Sequence, residues 1–372
     1  MGYDWRTWMD ELAPRFVERT AAHDANDSFV AENYALLKER GAFAAGVPGA
    51  LGGGDASHAE LCAMVRTMAR ACSSTALAFS MHTHLIATLG YLWRSGSKAP
   101  EALLRRVAAE QLILISSGGS DWLAGSGKLE KVEGGYRLTG RKIFASGVPS
   151  GNLLLTTGVY DDPQDGPTVF HFPLPLDAPG VKLLDTWKAL GMRGTGSQDI
   201  ELDNVFLPDA VMGGVRRPAG KFHPFMHAVC LVALPVFFAA YLGVAEAARD
   251  LALKLAARRK DDPLVPLLAG EMENELVAAQ IAHASMVDLA ASEKPGPAAT
   301  SAMLCRRTLL ARAVLATVDK AMMVAGGGSF YRSQGLERLF RDAQGARYHP
   351  MQEKPQTRLT GRVLLGLDID AP

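Results

Sequence analysis

Apolar residues recur at helical spacing in the first third of the chain, alternate in short segments through the middle, and return to helical spacing at the end. "SFVAENYALLKERGAF" (Ser28–Phe43) repeats apolar positions every three to four residues and stops at Gly41, which predicts a helix with a glycine end. "HAELCAMVRTMARACSSTALAFSMHTHLIATLGYLW" (His58–Trp93) continues the helical pattern. From about Leu112 the segments "GKLEKVEGGYRLTGRKIFASG", "GNLLLTTGVYDD", "PTVFHFPLP" and "GSQDIELDNVFLP" alternate apolar and polar positions between Gly, Pro, Asp and Asn turns, the pattern of antiparallel strands. "VEGGYRL" predicts a hairpin turning at Gly134-Gly135. After about Pro218, "LVALPVFFAAYLGVAEAARDLALKLAARRKDD" and "TSAMLCRRTLLARAVLATVDKAMMVAGGG" predict long helices. The expectation is an α+β fold: an N-terminal helical domain (1–112), a central antiparallel β domain (113–214) and a C-terminal helical bundle (215–372).

Composition narrows the class. With 372 residues and 48% hydrophobic content, the chain can bury a large core. Lys+Arg and Asp+Glu are both 39, so it lacks the basic excess of a nucleic-acid or anionic-membrane binder. Pro235 interrupts the most apolar stretch, Leu231–Ala248, and charge resumes at Glu246, so a buried helix is expected rather than a membrane span. The opening "MGYDWRTWMDELAPRF" is not a secretion signal. Cys62, Cys72, Cys230 and Cys305 are far apart and have no metal-ligand spacing, which predicts free thiols in a reducing cytoplasm and no metal. "GVPGALGGGDAS" lacks a preceding strand, the GxGxxG order and a GK[ST] ending, so it does not read as a phosphate cradle.

Five ordered motifs together resemble the acyl-CoA dehydrogenase superfamily of flavoproteins over nearly the whole chain. They are "FVAENYALLKERGAFAAGVPGALGG", "ISSGGSDW", "TGRKIFASG", "WKALGMRGTGSQDIELDNVFLP" and "GGGSFYRSQGLERLFRDA". The resemblance implies bound FAD, or FMN as a reduced co-substrate. It places Phe144 of "KIFASG" on the isoalloxazine face and Ser146 near N5, where a hydroxyl can donate or accept. The alternative for this pair is a strand core residue and a turn former. Ser116 and Ser117 take the place of the family's loop over the flavin pyrimidine, although its Thr-Glu-Pro triplet is missing here. Gly326 and Gly327 match glycines that let a neighbouring subunit approach the cofactor, implying a homodimer or homotetramer; a helix cap is the alternative. Arg341 and Asp342 read as a structural ion pair.

The chain departs from the family where the chemistry is concentrated. Counted from Arg341-Asp342, "YHPMQ" places Pro350 where the family carries its glutamate base, with His349 beside it. The second known position for that base falls near Ala233, and no acid occurs from His227 through Val244. The stretch is similar to a branch that includes flavin-dependent monooxygenases, in which a histidine here, another on the N-terminal helix, and the serine near N5 surround the oxygen-activating face. Those residues would be His349, His82 or His84, and Ser146. Three functions stand open: a monooxygenase-like enzyme fed reduced flavin by a reductase; an acyl-CoA dehydrogenase with a relocated base such as Glu353, passing electrons to an electron-transfer flavoprotein; and a non-redox scaffold on the same fold. The expected substrate is small and apolar, or acyl.

Overall fold

The structure is a computed structural model and describes residues 4–117 and 119–371. Five helices come first: α1 (Trp5–Ala25), α2 (Ala31–Glu39), α3 (His58–Ala71), α4 (Ser73–Arg94) and α5 (Glu101–Glu110). Local chemistry sets their ends. Gly41, at φ +69°, follows α2 and permits the left-handed turn that stops it. Ser57 and Glu60 start α3 as a reciprocal capping box.

The sheet contains β1 (Leu114–Ser116), β2 (Lys128–Val132), β3 (Gly135–Ala145), β4 (Leu153–Asp162), β5 (Gly166–Pro175), β6 (Val181–Leu183), β7 (Gln198–Pro208) and β8 (Arg216–Pro218). Its order is β6-β7-β3-β2-β4-β5-β8, with β1 beside β4. The long ladders β2–β3, β3–β7 and β4–β5 are antiparallel, as the alternation predicts. Two short pairings, β1–β4 and β2–β4, are parallel, so the sheet is mixed. Val132 pairs with Gly135, which puts the hairpin turn at Glu133-Gly134, one residue before the expected place. β8 extends the sheet just beyond the expected boundary at 214.

The chain then forms α6 (Pro224–Ala256), α7 (Leu264–Ser292), α8 (Pro297–Ala325), α9 (Leu336–Ala343) and α10 (Glu353–Leu364). The span Pro224–Arg259 is long and apolar enough to cross a membrane, but 94% of its most apolar window is buried inside the fold. It is the central core helix, packed by α3, α4, α7 and α8. Pro235 removes one backbone donor inside it. His58 and His283 donate from Nε2 to the nearby carbonyls of Val232 (2.8 Å) and Pro235 (2.9 Å).

Two buried cations position the segment between β1 and β2. Lys142 on β3 is fully buried, and its ammonium reaches Asp121 (3.0 Å), the Ser126 carbonyl (2.7 Å) and the Thr157 carbonyl (2.8 Å). Burial pushes this ammonium below its usual range, and Asp121 opposes that shift. Arg217 on β8 donates to the carbonyls of Trp122 (3.1 Å) and Leu123 and to His171 Nε2 (3.0 Å). Removing one member of a buried pair leaves the other uncompensated. Lys142→Met is therefore expected to cost about 3 kcal/mol in urea unfolding, and Lys142→Met with Asp121→Leu less than the two single changes together. A single-variant loss below about 1 kcal/mol would show that the pair does not secure the segment.

Candidate functional site

Three segments make up the candidate site, the first tied to the second by Lys142–Asp121 and the second touching the third at Gly119 and Pro350. The first is the end of β3. Between Lys142 and Ala145 the β3–β7 register slips, and Phe144 adopts φ +58°, a left-handed conformation that costs a non-glycine residue on the order of 1 kcal/mol. The bulge turns Phe144 outward, 51% exposed, with its ring edge-on to Trp187 at 6.0 Å. Ser146 next to it is buried.

The second wall is the segment after β1. The Ser116 hydroxyl makes no hydrogen bond among the described residues. Ser117 is different: its hydroxyl bonds Asp121 and accepts from Thr156 (3.0 Å). The Ser117 hydroxyl is thereby committed to the Lys142–Asp121 network. Gly119 brings this segment against Pro350, where an added Cβ would lie 3.2 Å from Pro350 Cγ.

The third wall is the loop between α9 and α10, held from beneath by Arg307. This buried guanidinium has no carboxylate partner among the described residues; it donates to the carbonyls of Ala346 (2.9 Å) and His349 (2.8 Å) and stacks 5.1 Å over Phe238. Burial brings its pKa down to about 10. His349 packs on Phe237 at 4.9 Å, and its Nε2 lies 2.7 Å from the Tyr241 hydroxyl. The Tyr241 hydroxyl is fully buried with no other acceptor among the described residues, so its proton goes to Nε2, which leaves the imidazole proton on the less buried Nδ1. Burial, with Arg307 and His84 nearby, pushes the His349 pKa down to about 3, so the ring is neutral. His349 consequently carries an N–H donor at Nδ1, which has no protein partner among the described residues.

The two histidines of α4 have opposite roles. His82 Nε2 donates to the Phe43 carbonyl (2.7 Å), and its Nδ1 accepts from Leu114 N–H (2.9 Å). Both nitrogens are consumed, so His82 is removed from the candidate set; it fastens β1 to the helical domain. His84 sits edge-on to Phe237 at 5.9 Å, and its Nδ1 is buried without a partner among the described residues. Tyr241 and Arg307 are site residues that motif reading missed.

Other expectations are also corrected. Glu353 begins α10 and pairs with Arg312 on the surface; that bond lowers its pKa, the wrong direction for a relocated base. Arg341 pairs with Asp24 and Glu337 (both 2.6 Å), whereas Asp342 is buried and bonds Ser73 and Met192 N–H, so the two do not pair with each other. Gly191 lets that stretch approach α9, since a Cβ there would meet the Arg341 carbonyl at 2.3 Å. Gly326, at φ +72°, caps α8 against Arg259, while Gly327 lies in open space.

Beyond Met351 a cavity of about 530 Å³ opens between Leu123, Phe222, Leu359 and Ile369, with Lys354, Arg358 and Arg362 along α10. Its size suits a small organic molecule.

The family descriptions "Acyl-CoA dehydrogenase, N-terminal domain" and "Acyl-CoA dehydrogenase, C-terminal domain" match residues 5–110 and 236–354. The chain belongs to the acyl-CoA dehydrogenase superfamily. It is 29% identical to the putative acyl-CoA dehydrogenase YdbM of Bacillus subtilis, over 93% of each chain. It is 27% identical to a pigment production hydroxylase of a Rhodococcus species, over 97% of this chain and 96% of that one. The solved structure of KijD3 with FMN and a dTDP-linked amino sugar superposes with a TM-score of 0.88 at 27% identity, covering 99% of this chain and 95% of that one. By name the relatives include a dehydrogenase and a hydroxylase, and the solved structure contains FMN.

The buried neutral histidines have a pH consequence. Burial pushes His82 and His84 down to about 4, and His349 lower still, from an ordinary 6.5. Between those values the unfolded chain binds protons that the folded chain refuses. Stability is thus complete above about pH 6.5 and falls as pH drops, by about 1.4 kcal/mol per pH unit per histidine at most. Calorimetry from pH 7.5 to 4.5 is expected to show Tm falling, with a shallower fall in His84→Leu; a flat profile would contradict the neutral cluster.

Proposed function

We propose that this chain is a monooxygenase-like flavin enzyme that receives reduced flavin from a separate reductase and uses oxygen on a small substrate. The carrying observation is the His349 loop. Pro350 stands where the family keeps its glutamate, and Glu353 is tied up with Arg312. Glu246, the first acid on α6 after the apolar stretch, is tied to Arg66 and Gln280. Abstraction of an α-proton needs a free carboxylate or an equally strong base, and a histidine with a pKa of about 3 is not one.

The residues present fit a flavin. Phe144, strained and exposed beside Trp187, offers the flat apolar surface that an isoalloxazine covers, and the orphaned nitrogen of His84 marks a polar position awaiting a partner. Phe144, Ser146 and Ser116 would hold the ring, FMN or FAD alike. Bound in reduced form, the flavin would supply two electrons to oxygen. The chain's own contribution is hydrogen bonding in a dry pocket: His349 Nδ1–H points a donor from apolar surroundings, and Tyr241 keeps that proton in place. The cavity beyond Met351, mainly apolar and flanked by Lys354, Arg358 and Arg362 as well as Asp370, would take a small substrate with an apolar body. Gly326 and Gly327, beside the exposed Phe330 and Tyr331, would meet a second copy in a dimer or tetramer. Dehydrogenation remains the competing reading, favoured by the similarity to YdbM.

Reconstitution with FMN and with FAD is expected to yield a bound-flavin spectrum, and anaerobic addition of saturated acyl-CoAs is expected to leave it unbleached. Rapid bleaching would establish the dehydrogenase reading, and uptake of neither flavin would leave the scaffold. When reduced FMN and oxygen are mixed on the protein, His349→Ala is expected to speed hydrogen peroxide release by at least about tenfold, and Tyr241→Phe by less. Unchanged release in His349→Ala would return His349 to a structural role.

A further inference from the structure

The cavity beyond Met351 has two firmly tied banks and a third side that is lightly held. One bank is the linker into α6. Gly220 N–H donates to the Leu123 carbonyl (3.1 Å), which Arg217 also holds, and the Phe222 ring stacks on His227 at 5.2 Å. His227 Nδ1 in turn lies 2.8 Å from the Thr300 hydroxyl of α8. The opposite bank is α10. Its buried Gln356 accepts from Thr308 of α8 (2.8 Å), and its Thr360 accepts from Ser301 of α8 (3.0 Å).

The third side is the segment after α10. Gly366, at φ +66°, turns the chain back, and Ile369, Asp370 and Ala371 then line the cavity. Apolar burial does little to hold this segment, since Leu364, Leu365 and Leu367 at its base are 80%, 74% and 48% exposed. Hydrogen bonds hold it instead, and they reach both banks. The Asp368 and Ala371 carbonyls accept from Arg362 and Arg358 of α10, the latter at 2.9 Å. Asp370 Oδ1 crosses the cavity and accepts from Phe222 N–H (2.9 Å). A local turn sets that carboxylate, the Asp370 N–H donating to Asp368 Oδ1 (3.0 Å). Polar contacts between partly exposed groups exchange with water far more readily than the buried ties of the banks, so the segment can lift while they stay.

We infer that Leu367–Ala371 is a strap that closes over a ligand in this cavity, with Gly366 as its hinge and Asp370 as its latch. Opening breaks the Asp370–Phe222 bond and leaves a groove between α10 and the α6 linker. A molecule enters that groove and is then covered. The inference rests on the proposed function only in taking that molecule to be the substrate.

The test uses 8-anilinonaphthalene-1-sulfonate, an apolar anion that fluoresces on leaving water, with the full chain in the absence of flavin. Wild type, Asp370→Ala and Asp370→Asn are compared. Asparagine keeps an oxygen for Phe222 N–H and loses the charge, whereas alanine loses both. Removing a negative charge from the wall favours an anionic probe, so charge alone would tighten binding in both variants. A latch separates them. In stopped flow, Asp370→Ala is expected to release the probe at least about fivefold faster and to bind it more weakly, the ratio for one hydrogen bond. Asp370→Asn is expected to hold it at least as well as wild type. Hydrogen exchange locates the effect: the probe is expected to slow exchange at Phe222 and Leu367–Ala371 in wild type, and much less in Asp370→Ala. A parallel change in the two variants, in either direction, would overturn the strap. So would exchange at these residues that the probe leaves unaltered in wild type, or failure of wild type to bind the probe. All of these outcomes are independent of flavin uptake, whose failure would overturn the proposed enzyme and leave the strap standing.

Discussion

The arrangement around the site depends on one buried ion pair, Lys142 with Asp121. A lysine ammonium taken out of water is expensive, and a single carboxylate rarely offsets that cost. Here the ammonium also reaches the Ser126 and Thr157 carbonyls, and the carboxylate collects hydrogen bonds from Ser117 and Ser126. The network joins β3 to the segment after β1 at a fixed register. Phe144 follows Lys142 on β3 and Ser146 lies just past its end, and Ser116 immediately precedes the segment that Asp121 fastens. Two walls of the site are thus located by one charge pair, while Arg217 restrains the far end of the segment through Trp122 and Leu123.

The third wall is built on the same principle with a different cation. Arg307 neutralises no carboxylate; it gathers main-chain carbonyls of the loop that carries His349. A guanidinium suits this use because its donors diverge in a plane and its flat face can lie on Phe238. The positive charge beneath His349 also keeps the imidazole neutral. Burial does most to hold His349 neutral, and the group that shapes the loop adds to it.

Much of the architecture was legible in the sequence, because helical and alternating periodicities differ and glycine and proline mark the boundaries. Parallel pairing of β1 and β2 with β4 was not, since three- and five-residue strands carry no register signal of their own. At the site, Phe144 and His349 were accessible through family motifs. Tyr241 was hidden in "VFFAAYLG", where it reads as one more apolar core position, and its partner lies 108 residues away. Arg307 in "LCRRTLL" looks like an ordinary surface cation. His82 and His84 could not be separated by pattern: two residues apart on a helix, one turns toward backbone partners and the other toward Phe237. Sequence exposes residue types and local spacing, whereas these roles were decided by which polar atoms lacked other partners.

The same accounting of donors and acceptors bears on which chemistry the fold can host. A dehydrogenase site needs an atom that takes a proton from carbon, hence a lone pair on a group basic enough to keep it. The loop offers the opposite. The Nε2 lone pair of His349 is occupied by Tyr241, its remaining nitrogen carries hydrogen, and protonation of the ring is suppressed by burial and by Arg307. Restoring a glutamate at position 350 would put a carboxylate into this setting, where Arg307 lies close enough to favour its charged form. On the proposed reading, Pro350 and His349 together form one consistent change, from taking a proton to presenting one.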